Sequence, residues 1–336
     1  MKYKVLGSTG LEVSVVGFGG IPIQRTSAEE AKKVILKAEE LGINFIDTAR
    51  AYTVSEEYIG QALAGRRDKW IFASKSMARR KEAMARDVDT SLKNLQTDYI
   101  DLYQIHNVAT ERDWNRVMGE EGAYAALLEA KEAGKIGHIG FTTHSKEILK
   151  LALESGKFET VMFPYNIVES QGEDLFKRAK ELNIGVIAMK PMAGGAIEDG
   201  TLALKYILQN EAVTTAIPGM ADVKEVEENV KAANEFSPLM EGEKQKIEEI
   251  AKSLGNSFCR RCGYCGPCPQ GIDIPSMFLF SAYKERYDLA DWSEDRYYAM
   301  KARAKDCIEC GACEERCPYH LPIREMLKEV RRVFNE

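Results

Sequence analysis

No cysteine occurs in the first 258 residues of this 336-residue chain; all eight follow that point. No disulfide framework can therefore span the larger part, which must rely on apolar packing. No apolar run approaches the ~18 residues that a membrane span needs. The N-terminus, Met1-Lys2-Tyr3-Lys4-Val5, lacks the long apolar segment of a secretory signal. There is no low-complexity segment and no heptad array. Basic residues do not predominate either: the formal net charge is −6, which argues against nucleic acid as a partner. These absences lead to the expectation of a cytoplasmic protein that binds neither membrane nor nucleic acid. The composition itself, 45% hydrophobic and 29% charged, is ordinary for a globular chain with a sizeable core. The length allows one large and one small domain.

The cysteines fall in two runs. The second reads Cys307-Ile-Glu-Cys310-Gly-Ala-Cys313-Glu-Glu-Arg-Cys317-Pro318, the spacing C-x2-C-x2-C-x3-C-P. In the bacterial ferredoxin run of that spacing, three thiolates ligate one [4Fe–4S] cluster and the fourth ligates its neighbour. The first run, Cys259, Cys262, Cys265 and Cys268 followed by Pro269, matches it. Gly263, Gly266 and Gly311 leave room for backbone N–H groups to approach the sulfurs. If the runs interlock, Cys259, Cys262, Cys265 and Cys317 hold one cluster, and Cys307, Cys310, Cys313 and Cys268 hold the other. Disulfides are a poor alternative, because cytosolic thiols stay reduced. Zinc is another, but zinc ribbons use separated C-x2-C pairs, and four cysteines spaced by three cannot all reach one tetrahedral ion. The spacing predicts two [4Fe–4S] clusters.

Upstream, short apolar runs alternate with amphipathic stretches up to about residue 235. The runs are Val13–Gly17, Asn44–Asp47, Trp70–Ser74, Ile100–Ile105, Ile136–Phe141, Thr160–Phe163, Gly185–Met189 and Val213–Ile217. Rich in Val, Ile and Phe, they read as parallel strands buried on both faces. Helical patterns lie between them; Ser27-Ala-Glu-Glu30 forms a capping box before Ala31–Leu41, with Gly42 as its stop. Eight strand–helix repeats predict an α/β fold of the (β/α)8 TIM-barrel type. A doubly wound open sheet is less apt, because no G-x-G-x-x-G follows the first strand. A hairpin (Met1–Leu6 and Leu11–Val13) is expected before the barrel, and a helix over Glu241–Leu254 after it. The expected domains are 1–255, the barrel, and 256–336, a small, mainly α-helical ferredoxin-like iron–sulfur domain with helices at Ile274–Ala282 and Arg296–Ala304.

In such barrels the reactive residues sit where the strands end, on the C-terminal face. The strand ends supply Asp47, Lys75 and His106, with Tyr52 in the loop after Asp47. An isolated Asp and Lys would read as a buried ion pair, and an isolated His as a satisfied core residue. Taken together, Asp47-Thr-Ala-Arg-Ala-Tyr52, Ser74-Lys75 and Tyr103-Gln-Ile-His106-Asn resemble the catalytic tetrad of the aldo-keto reductases, and the resemblance covers the whole barrel. It implies reduction of a small-molecule carbonyl substrate with NADPH or NADH. A ketone accepting hydride needs a proton on its oxygen, and a phenol is a poor donor at neutral pH unless tuned. Lys75 would stabilise the Tyr52 phenolate, Asp47 would hold Lys75 charged, and His106 would orient the carbonyl.

The same resemblance carries over to a nicotinamide site, with departures. Glu228 and Asn229 match the family's adenine-contacting pair, while the positions that grip the 2′-phosphate fall on Gly219, Met220 and Glu225, with Lys224 the nearby cation. An acid there disfavours NADPH, so NADH becomes at least as suitable. The ring-stacking aromatic falls near Met189, next to Lys190, and the carboxamide-binding Gln and Asn fall near Met162 and Thr143, where Thr142 and His144 are the substitutes. Met162, Met189 and Met192 also read as plain packing. Hydride transfer moves two electrons and each cluster carries one, so the tail reads as a structural or sensing appendage, or as a route for electrons from a ferredoxin or another redox protein. In a third reading the barrel is only scaffold for an electron-transfer subunit, which the intact tetrad opposes. The loops that shape the pocket are Gly19–Arg25, Val108–Gly122 with Trp114, and Pro191–Gly195; Arg25 and Arg50 could bind a carboxylate but read better as solvated surface cations.

Overall fold

The computed structural model describes residues 1–255, 257–261 and 263–336. They form two compact units. The first comprises Met1–Asn166, Ser170–Pro191 and Asp199–Leu239; the second comprises Ile167–Glu169, Met192–Glu198 and Met240–Glu336.

The first unit opens with the expected hairpin, β1 (Tyr3–Val5) antiparallel to β2 (Glu12–Ser14). Eight parallel strands follow: β3 (Phe18–Gly19), β4 (Phe45–Asp47), β5 (Ile71–Ser76), β6 (Ile100–Ile105), β7 (Ile136–Thr142), β8 (Thr160–Pro164), β9 (Gly185–Met189) and β10 (Thr215–Ile217). They pair in sequence order from β3 to β10. Isolated bridges, Val16 to Ala216 and Gly19 to Gly219, join the first strand to the last. The fold is a TIM barrel, and its strands are buried on both faces because helices cover the outside and side chains fill the inside. The helices are α1 (Ala28–Glu40), α2 (Ser55–Ala62), α3 (Lys81–Asn94), α4 (Glu111–Met118), α5 (Ala123–Glu132), α6 (Lys146–Glu154), α7 (Glu173–Glu181), α8 (Gly200–Leu208) and α9 (Val223–Asn234). The Ser27/Glu30 capping box starts α1 as read from the sequence.

One strand lies elsewhere than expected. Of the run Val13–Gly17, Val13 belongs to the hairpin, and the first barrel strand proper is Phe18–Gly19. The displacement follows from the seam. A Cβ on Gly19 would stand 2.6 Å from the Pro218 carbonyl oxygen, and one on Gly17 would stand 2.7 Å from the Phe45 ring. Side-chain-free backbone lets the two edges of the sheet approach and exchange hydrogen bonds, from Gly17 N–H to Ala216 O at 2.8 Å and from Gly19 N–H to Pro218 O at 2.9 Å. Leu6 and Val13 of the hairpin pack with Phe45, Ala73, Leu102, Met162, Ile187 and Ile217 in one buried cluster. The hairpin thus fills one end of the barrel and leaves the C-terminal strand ends for polar chemistry.

In the second unit, α10 (Glu241–Gly255) precedes the cysteine runs, and α11 (Ile274–Arg286), α12 (Ala290–Tyr298), α13 (Ala312–Glu315) and α14 (Ile323–Val333) accompany them. The helix expected over Arg296–Ala304 is therefore α12, which starts and ends earlier. Its register is set by Tyr297, fully buried and stacked on Phe334 with ring centroids 3.7 Å apart. Met277, Phe280, Leu321, Ile323, Leu327 and Val330 complete a core into which Cys265, Cys313 and Cys317 are also packed. Among the described residues no helix is long and apolar enough to cross a membrane.

The seam makes a prediction. Gly19→Ala should cost about 1–3 kcal/mol in chemical denaturation, because the new methyl meets backbone that cannot step aside. Gly242→Ala, where an added Cβ meets nothing within 4 Å, should stay within about 0.5 kcal/mol of the parent.

Candidate functional site

Three adjacent strands deliver the first group of polar side chains to one place. Asp47 ends β4, Lys75 lies near the end of β5 and His106 immediately follows β6. Asp47 and Lys75 are each about 2% exposed and form an ion pair. The Lys75 ammonium also donates to the Thr48 carbonyl at 2.9 Å, and Gln104 Nε2 donates to Asp47 Oδ1 at 3.1 Å. Burial pushes the Lys75 ammonium below its ordinary value and the Asp47 carboxyl above its own, and each charge opposes the shift of the other. Breaking such a pair from one side strands a buried charge at a cost of roughly 3–5 kcal/mol.

Tyr52 comes from the loop between β4 and α2. Lys75 Nζ lies over its ring, 4.8 Å from the centroid. The Tyr52 and His106 rings meet edge-on with centroids 6.1 Å apart. The backbone N–H of His106 donates to Ser76 O at 2.9 Å, which fixes where its ring leaves the strand end. Desolvation first, then the charges of Lys75, Arg79 and Lys190, hold the His106 imidazole well below its ordinary value. His106 is thus neutral at neutral pH, and its Nδ1 is buried with no partner among the described residues.

The loop that carries Tyr52 is tied down by a carboxylate that the sequence did not single out. Glu56, on α2, is fully buried and accepts from Ser74 Oγ at 2.6 Å, Ser91 Oγ at 2.7 Å, Asn94 Nδ2 at 3.2 Å and Arg50 Nη1 at 2.6 Å. Arg50, expected to be a solvated surface cation, is thus one arm of an inner network. In sequence Glu56 looks like any acidic residue in the first turn of an amphipathic helix; only the Ser, Arg and Asn around it show its role. The segment that carries Trp114 is a helix, α4, and not an irregular loop. Trp114 packs edge-on against Phe141 and Phe158, at 5.5 and 6.1 Å.

The residues proposed for a nicotinamide are more dispersed. Thr142 Oγ1 accepts from the Asn107 N–H at 2.7 Å, and His144 Nδ1 meets Asn107 Oδ1 at 2.9 Å. Both side chains thereby brace the turn after β6. Met162 is buried in the barrel core, with Met189 packed against the same cluster. Lys190 has a left-handed backbone (φ 57°), and its carbonyl accepts from Asn166 Nδ2 at 2.9 Å. Gly219 is exposed, and a Cβ there would stand 2.6 Å from Pro22 Cγ. At the start of α9, Asp222 and Glu225 form a capping box, and Glu225 Oε2 accepts from the N–H groups of Ala221 at 2.7 Å and Asp222 at 3.2 Å. The helix N-terminus is therefore already occupied by carboxylate. Lys224 is 81% exposed and 3.7 Å from Glu228, while Asn229 is buried.

In the second unit the two cysteine runs repeat one backbone course. Two residues after the first cysteine, Arg261 and Glu309 have φ of 58° and 53°; two residues further on, Gly263 and Gly311 have 84° and 82°. Left-handed residues at alternating positions coil each run back on itself. Cys268, Cys307, Cys310 and Cys313 line one pocket together with Pro269, Ile274, Gly311 and Leu327. None of the seven described cysteines forms a disulfide, and Cys262 lies outside the described residues. Burial raises the Cys313 thiol above its ordinary value, so an isolated group there would stay protonated at neutral pH; bound iron would hold it as thiolate.

An eight-stranded barrel with polar side chains converging on its C-terminal face, joined to a cysteine-rich tail, defines an oxidoreductase of TIM-barrel architecture. Residues 15–201 match the model of the aldo/keto reductase family, and residues 258–322 match a 4Fe-4S dicluster domain. The chain belongs to the aldo/keto reductase family. It is 29% identical to L-galactose dehydrogenase of Arabidopsis thaliana over 76% of this chain and 96% of that protein. It is also 29% identical to aldo-keto reductase YhdN of Bacillus subtilis, over 71% of this chain and 76% of that one. Among solved structures, the holo form of an aldo-keto reductase from Bacillus halodurans superposes with a TM-score of 0.66 at 29% identity, covering 75% of this chain and 97% of the other. These matches to the barrel cover about three quarters of the chain.

The neutral imidazole of His106 gives a pH signature. The folded-state value of His106 lies below the ordinary 6.5, so the unfolded chain binds the proton more readily. The corresponding stability is present above the ordinary value and is lost as the pH falls toward the folded-state value. Between about pH 7.5 and about pH 5.5, the melting temperature should fall further for the parent than for His106→Gln. Equal falls would mean that the imidazole is not held neutral.

Proposed function

We propose that the protein reduces a small-molecule carbonyl compound, or oxidises the corresponding alcohol, at the site formed by Asp47, Tyr52, Lys75 and His106, and that its tail carries two [4Fe–4S] clusters. In this reading residues 1–255 carry the carbonyl chemistry and residues 256–336 carry the clusters. One observation supports it above the others: the ammonium of Lys75, buried and paired with Asp47, lies over the ring of Tyr52 beside a neutral His106.

A nicotinamide, when bound, would supply the hydride. The chain's own residues do the rest. Neutral His106 donates a hydrogen bond to the carbonyl oxygen and holds it toward Tyr52. The Tyr52 hydroxyl delivers the proton as negative charge develops on that oxygen. Lys75 stabilises the phenolate left behind, and Asp47 keeps the ammonium in place despite its burial. Carboxylates capping α9 and the engagement of Lys224 by Glu228 favour NADH over a dinucleotide with a 2′-phosphate.

For the tail we propose the interlocked ligation, Cys259, Cys262, Cys265 and Cys317 in one set and Cys307, Cys310, Cys313 and Cys268 in the other. The pocket shared by Cys268 with the second run supports the exchange of fourth ligands. A second reading is favoured by the apolar and already engaged residues at the carboxamide positions, Met162 and Thr143. There a ferredoxin or similar redox protein would reduce the enzyme one electron at a time, with the same four residues handling the proton.

Two measurements test these readings. In anaerobic assays with NADH, NADPH or dithionite as the reductant, Tyr52→Phe should lower carbonyl reduction by about 10²–10⁴-fold with its iron content unchanged. Full activity would remove Tyr52 from the chemistry, and turnover with dithionite but neither nicotinamide would favour the second reading. Cys317→Ala should lose about half of the bound iron, because its thiolate serves one cluster of two; an unchanged iron content contradicts the interlocked sets.

A further inference from the structure

The two cysteine runs share a backbone course but carry opposite charges at one equivalent position. Two residues after the first cysteine the first run has Arg261 and the second has Glu309, both left-handed. Their surroundings differ. The Arg261 side chain is 14% exposed, and its Nη2 donates to Glu169 Oε1 at 2.8 Å; the Glu169 side chain is fully buried. Glu309 is half exposed and meets Lys328 at 3.1 Å.

Arg261 faces the first cysteine with several donors. Its backbone N–H points at Cys259 Sγ at 3.4 Å, and its Nη1 donates to the Cys259 carbonyl at 3.3 Å. Its Nε is buried and has no partner among the described residues. A buried guanidinium with an unspent N–H beside a cluster ligand suits a neighbour that is a sulfur-rich anion, which accepts weak hydrogen bonds and gains negative charge on reduction. Glu169 accepts from Nη2, so Arg261 keeps this orientation instead of swinging to solvent.

We infer that Arg261, oriented by Glu169, is a positioning residue that makes the two clusters unequal, giving the cluster of Cys259, Cys262 and Cys265 the higher reduction potential. A cation and its N–H groups beside a cluster favour the reduced, more negative state, and an anion at the matching place beside the other cluster disfavours it. Electrons reaching the tail therefore come to rest on the first-run cluster. This inference rests on the two-cluster reading of the tail, and the test keeps the two apart.

The experiment is an anaerobic potentiometric titration of the full chain followed by EPR, with iron analysis on every sample. About eight irons per chain would establish the two clusters independently of their potentials; far fewer would overturn the two-cluster reading itself. The parent should show two separate midpoints. Arg261→Gln should lower the higher midpoint and leave the lower one in place, while Arg261→Lys should retain most of the gap. Glu169→Gln should move the higher midpoint upward, since it removes the counter-charge, and Glu309→Gln should raise the lower one. Shifts of opposite sign from the two members of one ion pair are not what simple loosening of the fold gives. If Arg261→Gln fails to retain iron, the Glu169 and Glu309 variants still decide. Coincident midpoints in the parent, or midpoints that none of these changes moves at full iron content, would overturn the inference.

Discussion

A buried ion pair sets the terms for the first unit of this protein. Asp47 and Lys75 sit at the ends of neighbouring parallel strands, nearly sealed from water, and neither could be there without the other. Their burial requires strand ends that meet in register, and β4 and β5 provide that. It also requires that remaining donors and acceptors be satisfied, and Thr48 O and Gln104 Nε2 do so. Around this pair the barrel places an aromatic ring against the cation and an imidazole that stays neutral. A charge that water would have screened to little effect is thereby kept close to the place where charge has to change.

The second unit answers a different constraint. Thiolates that bind clusters must point inward from a chain that keeps turning, and a small helical core has to form around them. The matched left-handed residues, Arg261 with Gly263 and Glu309 with Gly311, supply the turning. The stacked Tyr297 and Phe334 rings and the aliphatic side chains of α11 and α14 supply the core. Small iron–sulfur modules can be modest in apolar burial because metal ligation contributes to their folding.

Much of this was legible in the sequence, and the exceptions have physical causes. Period and spacing revealed seven of the eight strands, the Ser27/Glu30 cap, the residues at the strand ends and both cysteine runs, because each is a local pattern. The first barrel strand was misplaced because glycine at 17 and 19 breaks the apolar run just where the seam needs bare backbone. The helix at Ala290–Tyr298 was read too late because Tyr297 finds its partner in the distant Phe334. Glu225 read as an acid facing a phosphate, whereas its carboxylate turns back onto the N–H groups of Ala221 and Asp222. Glu56 and Glu169 carry no signal in the sequence. A carboxylate reveals that it is buried only through partners far away in the chain, and no spacing rule encodes those.

Glu56 has one more implication. The segment from Thr48 to Val54 lacks regular structure, yet Arg50 is fastened at its backbone to Lys75 O and at its guanidinium to Glu56, which is itself held by Ser74, Ser91 and Asn94. A loop of this kind would ordinarily sample many conformations, and its aromatic hydroxyl would have to be gathered into place each time a substrate arrived. Here the search is completed once, while the chain folds. In the proposed reaction, the entropy of placing the Tyr52 hydroxyl is then a term in the stability of the protein and not a term in the barrier of each turnover.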